Sequence, residues 1–492
     1  MWVDDHTVFF LNQLHSRNDA EVVVFDTESN ASRTVGHYES ANHLSASPDA
    51  SHLALLSNGK LVIVNPDVSG HRSIFDLQSS AETRDLVVLT TPVWSQDGRR
   101  VLLNMWGHMK RTFFEFDIES RTVRPICLDD NDYVPLSYNP GSGLVAVTRE
   151  NMAEPQRMYF LETDDWKLTE SFDPNENVRH LAWPEEKAIA WGSRDNLFTI
   201  HGVLLSPIRP KDGRPLPLLV LNTGGPGMVE MKFNDVGYPV AAFASIGYAV
   251  LVVNSRGRGG YGEKFKMALR DEKSRYDRPL DDVLAGVDVL VKQHIADPRR
   301  LGIMGFSYGG GLTAWAICRT NRFSAASIGD MDLDDSTVMR AFLGNADARD
   351  HYTNSYLGYR VPYDPIERRQ IQRESPLNHV DDVHTPSIFE GGIAGAAARS
   401  GRPWYQATQF FHVPSELIVY PRSGHGWSEP LLILDSYRRN LAWFNYWIIG
   451  TPYPDRDKQI KYDAWKIRRA ALGDPRWRDK VSVSAETSHQ DE

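Results

Sequence analysis

The sequence predicts a two-part fold: an N-terminal all-β, propeller-like domain, short or incomplete, and after it an α/β domain on a doubly wound, mostly parallel sheet. Three observations carry this reading. The chain has 492 residues, more than one ordinary domain holds. A strand-and-turn signature recurs at Trp2 ("WVDD"), Ala46 ("ASPD"), Trp94 ("WSQD"), Tyr138 ("YNPG") and Trp183 ("WPEE"), at intervals of 44, 48, 44 and 45 residues. Beyond about residue 205, apolar strands alternate with helical patterns instead.

The repeat interval matches the roughly 40–50-residue period of four-stranded propeller blades. "TVFFLNQL", "EVVVFDT", "HLALLS", "KLVIVNP", "RVLLNMW", "TFFEFDI" and "LVAVTR" read as its strands, bounded by turns such as "SPDAS", "SQDGR" and "NPGSG". One blade cannot cover both of its faces, so stacked neighbours must complete the core. Four repeats and a transition make a short ring that is truncated, open or completed by a partner. An irregular β-sandwich is the competing reading.

In the second part, strands are expected in "PLLVLNTGG" (217–225), "GYAVLVVNSRG" (247–257), "RLGIMGFS" (300–307), "FSAASIGD" (323–330), "TPSIFEGG" (385–392) and "SELIVYPRSG" (415–424). "PLDDVLAGVDVLVKQHI" (279–295) reads as a helix between them, and "DPRR" (297–300) as a helix-to-strand turn. "SYRRNLAWFNYWIIG" (436–450) is the expected closing helix, ended by Gly450. The expected domains are 1–205, 206–470 and a polar, disordered tail over 471–492. Ligand sites in such sheets form at the carboxyl ends of the strands.

The 64 acidic and 54 basic residues leave a net charge of −10, which argues against a nucleic-acid partner. Two cysteines, Cys127 and Cys318, are too few and too far apart for a disulfide framework or a Cys-rich zinc site. No metal motif appears, and no cofactor is expected. The start "MWVDDHTVFFLNQL" has acids where a signal peptide would have basic residues, and no apolar run of about 18 residues follows. The expected compartment is the cytoplasm, without a membrane partner. The first strand begins so early that the chain could start inside a longer parent.

"GFSYGG" (305–310) fits G-x-S-x-G, and its surroundings read strand, sharp turn, helix. That is the nucleophile elbow of α/β-hydrolases, whose small residues let strand and helix backbones approach closely. The turn would lift the Ser307 hydroxyl above the sheet edge and aim the Tyr308 N–H at an oxyanion. A packing turn or a phosphate cradle would use the same glycines. A base belongs after the last strand, where "LIVYPRSGHGWSEP" supplies His425. A second oxyanion donor belongs after an early strand, where "NTGGPG" supplies Thr223 and Gly224; the alternative there is a plain tight turn.

These residues resemble the prolyl oligopeptidase family of serine peptidases, over nearly the whole chain. "GFSYGG" is similar to its nucleophile motif and "NTGGPG" to its His-Gly-Gly-Pro or Tyr-Gly-Gly oxyanion segment. "GYAVLVVNSRGRGGYGEKF" resembles its N-x-R-G-S-x-G-Y-G stretch. "SPLNHVDDVHTPSI" and "VYPRSGHGW" resemble the segments leading to its acid and its histidine. "RRNLAWFNYWIIG" and "TRENMAEPQRMYFLE" are similar to the lasso-peptide isopeptidase branch. The resemblance implies peptide hydrolysis through a Ser307 acyl-enzyme, with His425 as base and the Tyr308 N–H on the oxyanion.

Two departures stand out. Thr223 occupies the place of the family's Tyr or His. The family's triad Asp falls at about Ala394, yet "GGIAGAAARSGR" (391–402) holds no acid. Glu390, ending the same strand, and Asp330, ending the neighbouring one, are the candidate replacements. Glu390 could equally be a solvated loop acid, and Asp330 a cap of the turn "GDMDLDDS". A Ser–His dyad is the third reading.

Arg256 and Arg258 in "NSRGRGG" are candidate clamps for a substrate carboxylate, structural pairing with nearby acids being the alternative. Trp106, Trp183 and Trp191 read as chamber-lining or core residues. The expected partner is a peptide substrate, with a homodimer left open. Three functions remain in play: a serine peptidase on short or constrained peptides, a weakened or inactive peptide-binding relative, and an esterase.

Overall fold

The computed structural model describes residues 4–13, 19–66, 72–80, 82–127, 129–207, 213–225, 237–270, 275–334, 365–452 and 462–471. The chain divides into two compact units. One is Met1–Leu181 with Met231–Phe233 and Gly259–Glu263, and the other is the remainder.

The first unit consists of successive antiparallel sheets, as the repeats predict. The first has three strands, Thr7–Gln13, Asp19–Asp26 and Ala31–Glu39. The second has four, Asn42–Ala46, Leu53–Ser57, Lys60–Val64 and Arg72–Asp76. The third is built around Arg100–Gly107 and Lys110–Asp117. The fourth runs Asp132–Asn139, Leu144–Glu150, Arg157–Glu162 and Leu168–Phe172. Side chains alternate between faces along a strand, and here each face feeds a different core. Leu53 and Leu55 pack with Phe9 and Val22 of the first sheet. Ala54 and Leu56 pack with Trp94, Leu103 and Phe114 of the third. Leu102 and Phe113 turn the other way, toward Val145, Val147 and Leu161 of the fourth. A buried Leu contributes about 2 kcal/mol, so a sheet without its neighbour would leave much of its apolar surface in water.

The fifth repeat signal does not start another such sheet. Past Trp183 the chain enters a hairpin, β1 (Glu185–Gly192) and β2 (Thr199–Ser206), which belongs to the sheet of the second unit. The unit boundary therefore falls between Leu181 and Ala182 instead of at 205. The physical reason is pairing: β2 runs antiparallel to a strand of the second unit, His201 opposite Asn254.

That sheet continues with β3 (Leu216–Asn222), β4 (Ala249–Asn254), β5 (Ala296–Phe306), β6 (Ala325–Gly329), β7 (Ser387–Gly392) and β8 (Ser415–Tyr420). Its order is β1-β2-β4-β3-β5-β6-β7-β8, parallel from β4 onward. Every residue of β4, β6 and β7 is buried, as expected of strands covered on both faces. Covering helices include α1 (Val240–Ser245), α2 (Asp277–Lys292), α3 (Tyr308–Arg319), α4 (Pro365–Glu374), α5 (Arg402–Phe410), α6 (Pro430–Phe444) and α7 (Tyr462–Ala471). The turn expected at "DPRR" is instead an irregularity inside β5, where pairing jumps from Leu216–Ala296 to Leu218–Leu301. After α6, a wider turn over Asn445–Ile449 ends at Gly450, whose φ of 97° is the left-handed value expected of a helix stop. Apart from Ala471, the tail expected over 471–492 lies outside the described residues.

The order reverses at β3: the chain passes to β4 on one side and then to β5 on the other. Such a switch opens a crevice at the carboxyl ends of the strands. Asn222 pairs with Gly305 and Phe306 with Gly329, so Thr223, Ser307 and Asp330 emerge side by side.

Candidate active site

Ser307 stands between β5 and α3 with φ 56° and ψ −128°, a conformation costly for a residue with a Cβ. The surrounding glycines make it feasible. A Cβ on Gly309 would lie 1.9 Å from the Asn222 carbonyl oxygen, and one on Gly310 2.5 Å from that of Gly329. Strand and helix are packed backbone to backbone, and the Ser307 N–H donates to the Gly329 carbonyl at 2.8 Å.

His425 lies in the loop after β8, its side chain 58% exposed. Its Nε2 is 2.9 Å from Ser307 Oγ and its Nδ1 is 3.0 Å from Asp330 Oδ2. The imidazole packs on Phe306 at 5.2 Å between ring centroids, and Phe306 meets Trp427 edge-on.

Of the two candidate acids, Asp330 is the one beside His425. It has left-handed backbone (φ 32°) and its carboxylate is buried. Its Oδ1 accepts the Ala396 N–H at 2.8 Å, and its Oδ2 accepts that of Gly426 at 3.2 Å. A Cβ on Gly391 would stand 2.6 Å from Oδ1, and one on Gly395 within 2.6 Å of both oxygens. The acid-free stretch "GGIAGAA" is therefore the space into which the Asp330 carboxylate fits.

Glu390 faces away. Neighbouring residues of a strand point to opposite faces, and with Gly391 toward Asp330, Glu390 turns toward α6. There it accepts hydrogen bonds from Tyr420 Oη (2.9 Å), Ser436 Oγ (3.1 Å) and Asn440 Nδ2. Burial pushes its pKa up to about 7 against the pull of these donors. It is neither a solvated loop acid nor the partner of His425; its contribution to the site is its carbonyl, which accepts the Asp330 N–H at 2.7 Å.

Tyr308 opens α3 at the first helical position, where an N–H points out of the helix end. Gly224 lies against the nucleophile: a Cβ there would be 3.3 Å from Ser307 Cβ. The Thr223 hydroxyl is buried without a hydrogen-bond partner, so the polar groups this turn can offer the crevice are those of its backbone.

Arg256 is no clamp for a substrate. It is buried, with Nε and Nη2 on Asp282 at 2.9 and 2.7 Å and Nη1 and Nη2 on Asp195 at 2.6 and 3.1 Å. Four of its five N–H donors are thus committed to these acids, one from the hairpin and one from α2. Trp191 is likewise a core residue, its indole donating to the Asp282 carbonyl at 2.9 Å. Sequence reasoning missed the part played by Gly391 and Gly395, for which the signal was a glycine- and alanine-rich stretch without an acid where one was due. Among the described residues there is no group of three or more metal-ligating side chains, and no helix long and apolar enough to cross a membrane.

The sheet order and the elbow define an α/β-hydrolase domain, preceded by a propeller-like array of sheets. Residues 236–451 match the model of the prolyl oligopeptidase family. The uncharacterized peptidase YuxL of Bacillus subtilis is 28% identical over 352 residues, 69% of this chain and 50% of that protein. The lasso peptide isopeptidase AtxE2 of Asticcacaulis excentricus is 23% identical over 65% of this chain and 46% of its own length. An acylamino-acid-releasing enzyme of Arabidopsis thaliana is 25% identical over 73% and 49%. The chain thus spans about half the length of the curated relatives it matches. Among solved structures, a Mycobacterium tuberculosis puromycin-hydrolyzing peptidase superposes with a TM-score of 0.71 at 20% identity, over 90% of this chain and 68% of that one.

Proposed function

We propose that this chain is a serine peptidase in which Asp330, carried by β6, serves as the acid of the triad. The observation that carries the reading is the continuous chain from Ser307 Oγ to His425 Nε2 (2.9 Å) and from His425 Nδ1 to Asp330 Oδ2 (3.0 Å). In this reading His425 takes the Ser307 proton as the hydroxyl attacks a peptide carbonyl, then gives it to the leaving amine. Water releases the acyl group by the reverse proton route. Asp330 holds the imidazole with Nδ1 protonated and offsets the charge that forms on it. The Tyr308 N–H and the backbone of the 223–225 turn receive the oxyanion.

Short or constrained peptides are the proposed substrates. The sequence similarity to the lasso peptide isopeptidase AtxE2 adds a specific candidate, an isopeptide bond of a lasso peptide. A fluorophosphonate probe tests the reading. Stoichiometric labelling that disappears in Ser307→Ala is expected. A folded chain that takes no label is a peptide-binding protein instead, and turnover of esters without matched amides marks an esterase.

A further inference from the structure

We infer that Arg258 is a positioning residue for the oxyanion site, acting through the backbone of the turn after β3; the inference rests on the serine-peptidase reading above. Arg258 is 1% exposed. Its Nη2 donates to the carbonyl of Thr223 at 2.6 Å, and its Nη1 to those of Gly224 at 2.9 Å and Gly225 at 3.2 Å. One planar guanidinium thus gathers three successive carbonyl oxygens.

The consequence follows from peptide geometry. In a trans peptide the C=O of one residue and the N–H of the next point in opposite directions. Drawing the Thr223 carbonyl toward Arg258 turns the Gly224 N–H away from it. Drawing in the Gly224 carbonyl does the same for the Gly225 N–H. Two consecutive donors are thereby presented on the side opposite the guanidinium, at a glycine that abuts Ser307. Gly225 has φ 53°, the left-handed backbone that lets successive peptides turn this way.

No side chain of the turn can do this work. The Thr223 hydroxyl is buried and makes no hydrogen bond, and glycines follow it. The fork of Arg258 fixes the peptide planes instead, and its charge lies behind the donors that would meet the developing oxyanion. Lysine could supply the charge but not three carbonyl contacts in one plane.

The test compares the parent chain with Arg258→Met and Arg258→Lys, using a peptide amide substrate, its product peptide and a peptide aldehyde, which forms a tetrahedral adduct on Ser307. Arg258→Met should lower kcat about 10²-fold with KM within about threefold. Aldehyde affinity should fall by a factor similar to kcat/KM while product affinity holds. Arg258→Lys should lose about tenfold, and it stands in should Arg258→Met not fold. Added guanidinium ion should restore part of the rate of Arg258→Ala. An active parent whose folded variants keep kcat, or lose product and aldehyde affinity equally, overturns the assignment. A parent with neither label nor turnover overturns the hydrolase reading, and this assignment with it.

Discussion

His425 Nδ1 lies 3.0 Å from Oδ2 of Asp330, a carboxylate delivered by β6 and not by β7, where the family pattern has its acid. The neighbouring strand can supply it because Gly391 and Gly395 carry no side chain into the space that the carboxylate fills. Asp330→Asn should therefore lower kcat about 10⁴-fold, since an amide can stabilise the wrong imidazole tautomer and does not offset the imidazolium charge. Glu390→Gln should stay within about threefold. Steady-state kinetics on one amide substrate checks both, and the reverse ranking would return the acid to β7.

The glycine cradle makes its own prediction. Gly395→Ala puts a carbon at 2.5 and 2.6 Å from the two Asp330 oxygens and 2.6 Å from the Gly424 carbonyl oxygen. The carboxylate must shift by much of an ångström, and misplacement on that scale costs about 10² in rate. Gly424→Ala is the control, because its added carbon meets nothing within 4 Å although it adjoins His425. We expect kcat to fall about 10²-fold in the first variant and less than about threefold in the second. Equal effects would mean that the loop, and not the carboxylate, is what responds.

Much of this was legible in sequence because the signals were local. The repeats announced antiparallel sheets, the apolar runs announced the parallel strands, and "GFSYGG" announced the elbow. The acid was not legible, because it depends on which strand end lies beside His425. That is settled by register, Phe306 opposite Gly329 and Gly329 opposite Glu390, and by strand alternation, which turns Glu390 away. The boundary expected at 205 missed the observed one for a related reason. "WGSRDN" repeats the Ser-x-Asp turn of "WSQDG", with Ser193 Oγ 2.6 Å from Asp195 as Ser95 is bonded to Asp97. A turn motif does not say which sheet its hairpin joins.

Burial of Glu390 should make folding pH-dependent. Its pKa rises from 4.5 to about 7, so the native state favours the neutral acid. The facing groups are Tyr420, Ser436 and Asn440, with Asp435 and Arg439 beyond Tyr420. Stability from this group is fully present below pH 4.5 and is lost as pH rises through about 7. The difference corresponds to on the order of 3 kcal/mol. Glu390→Gln does not titrate, so thermal unfolding at pH 5 and pH 8 should show the parent losing ground to the variant at the higher pH. A gap between the two that is the same at both pH values would contradict the assignment.

Arg256 should prove to be a fold residue and not a substrate contact. It joins Asp195 of the β1–β2 hairpin to Asp282 of α2, all three largely withdrawn from water. Its guanidinium draws the Asp195 carboxyl well below the usual range, whereas burial raises that of Asp282. Arg256→Met would leave Asp282 buried without its cation, a change that costs about 3–5 kcal/mol. The expected result is a large fall in unfolding free energy, with KM for peptide substrates within about threefold in the protein that remains folded. Adding Asp282→Asn removes the stranded charge and should recover part of the stability, so the pair is less damaging than the sum of its parts. Denaturant unfolding of the single and double variants checks this, and a KM that rises tenfold without loss of stability would restore Arg256 as a clamp on the substrate.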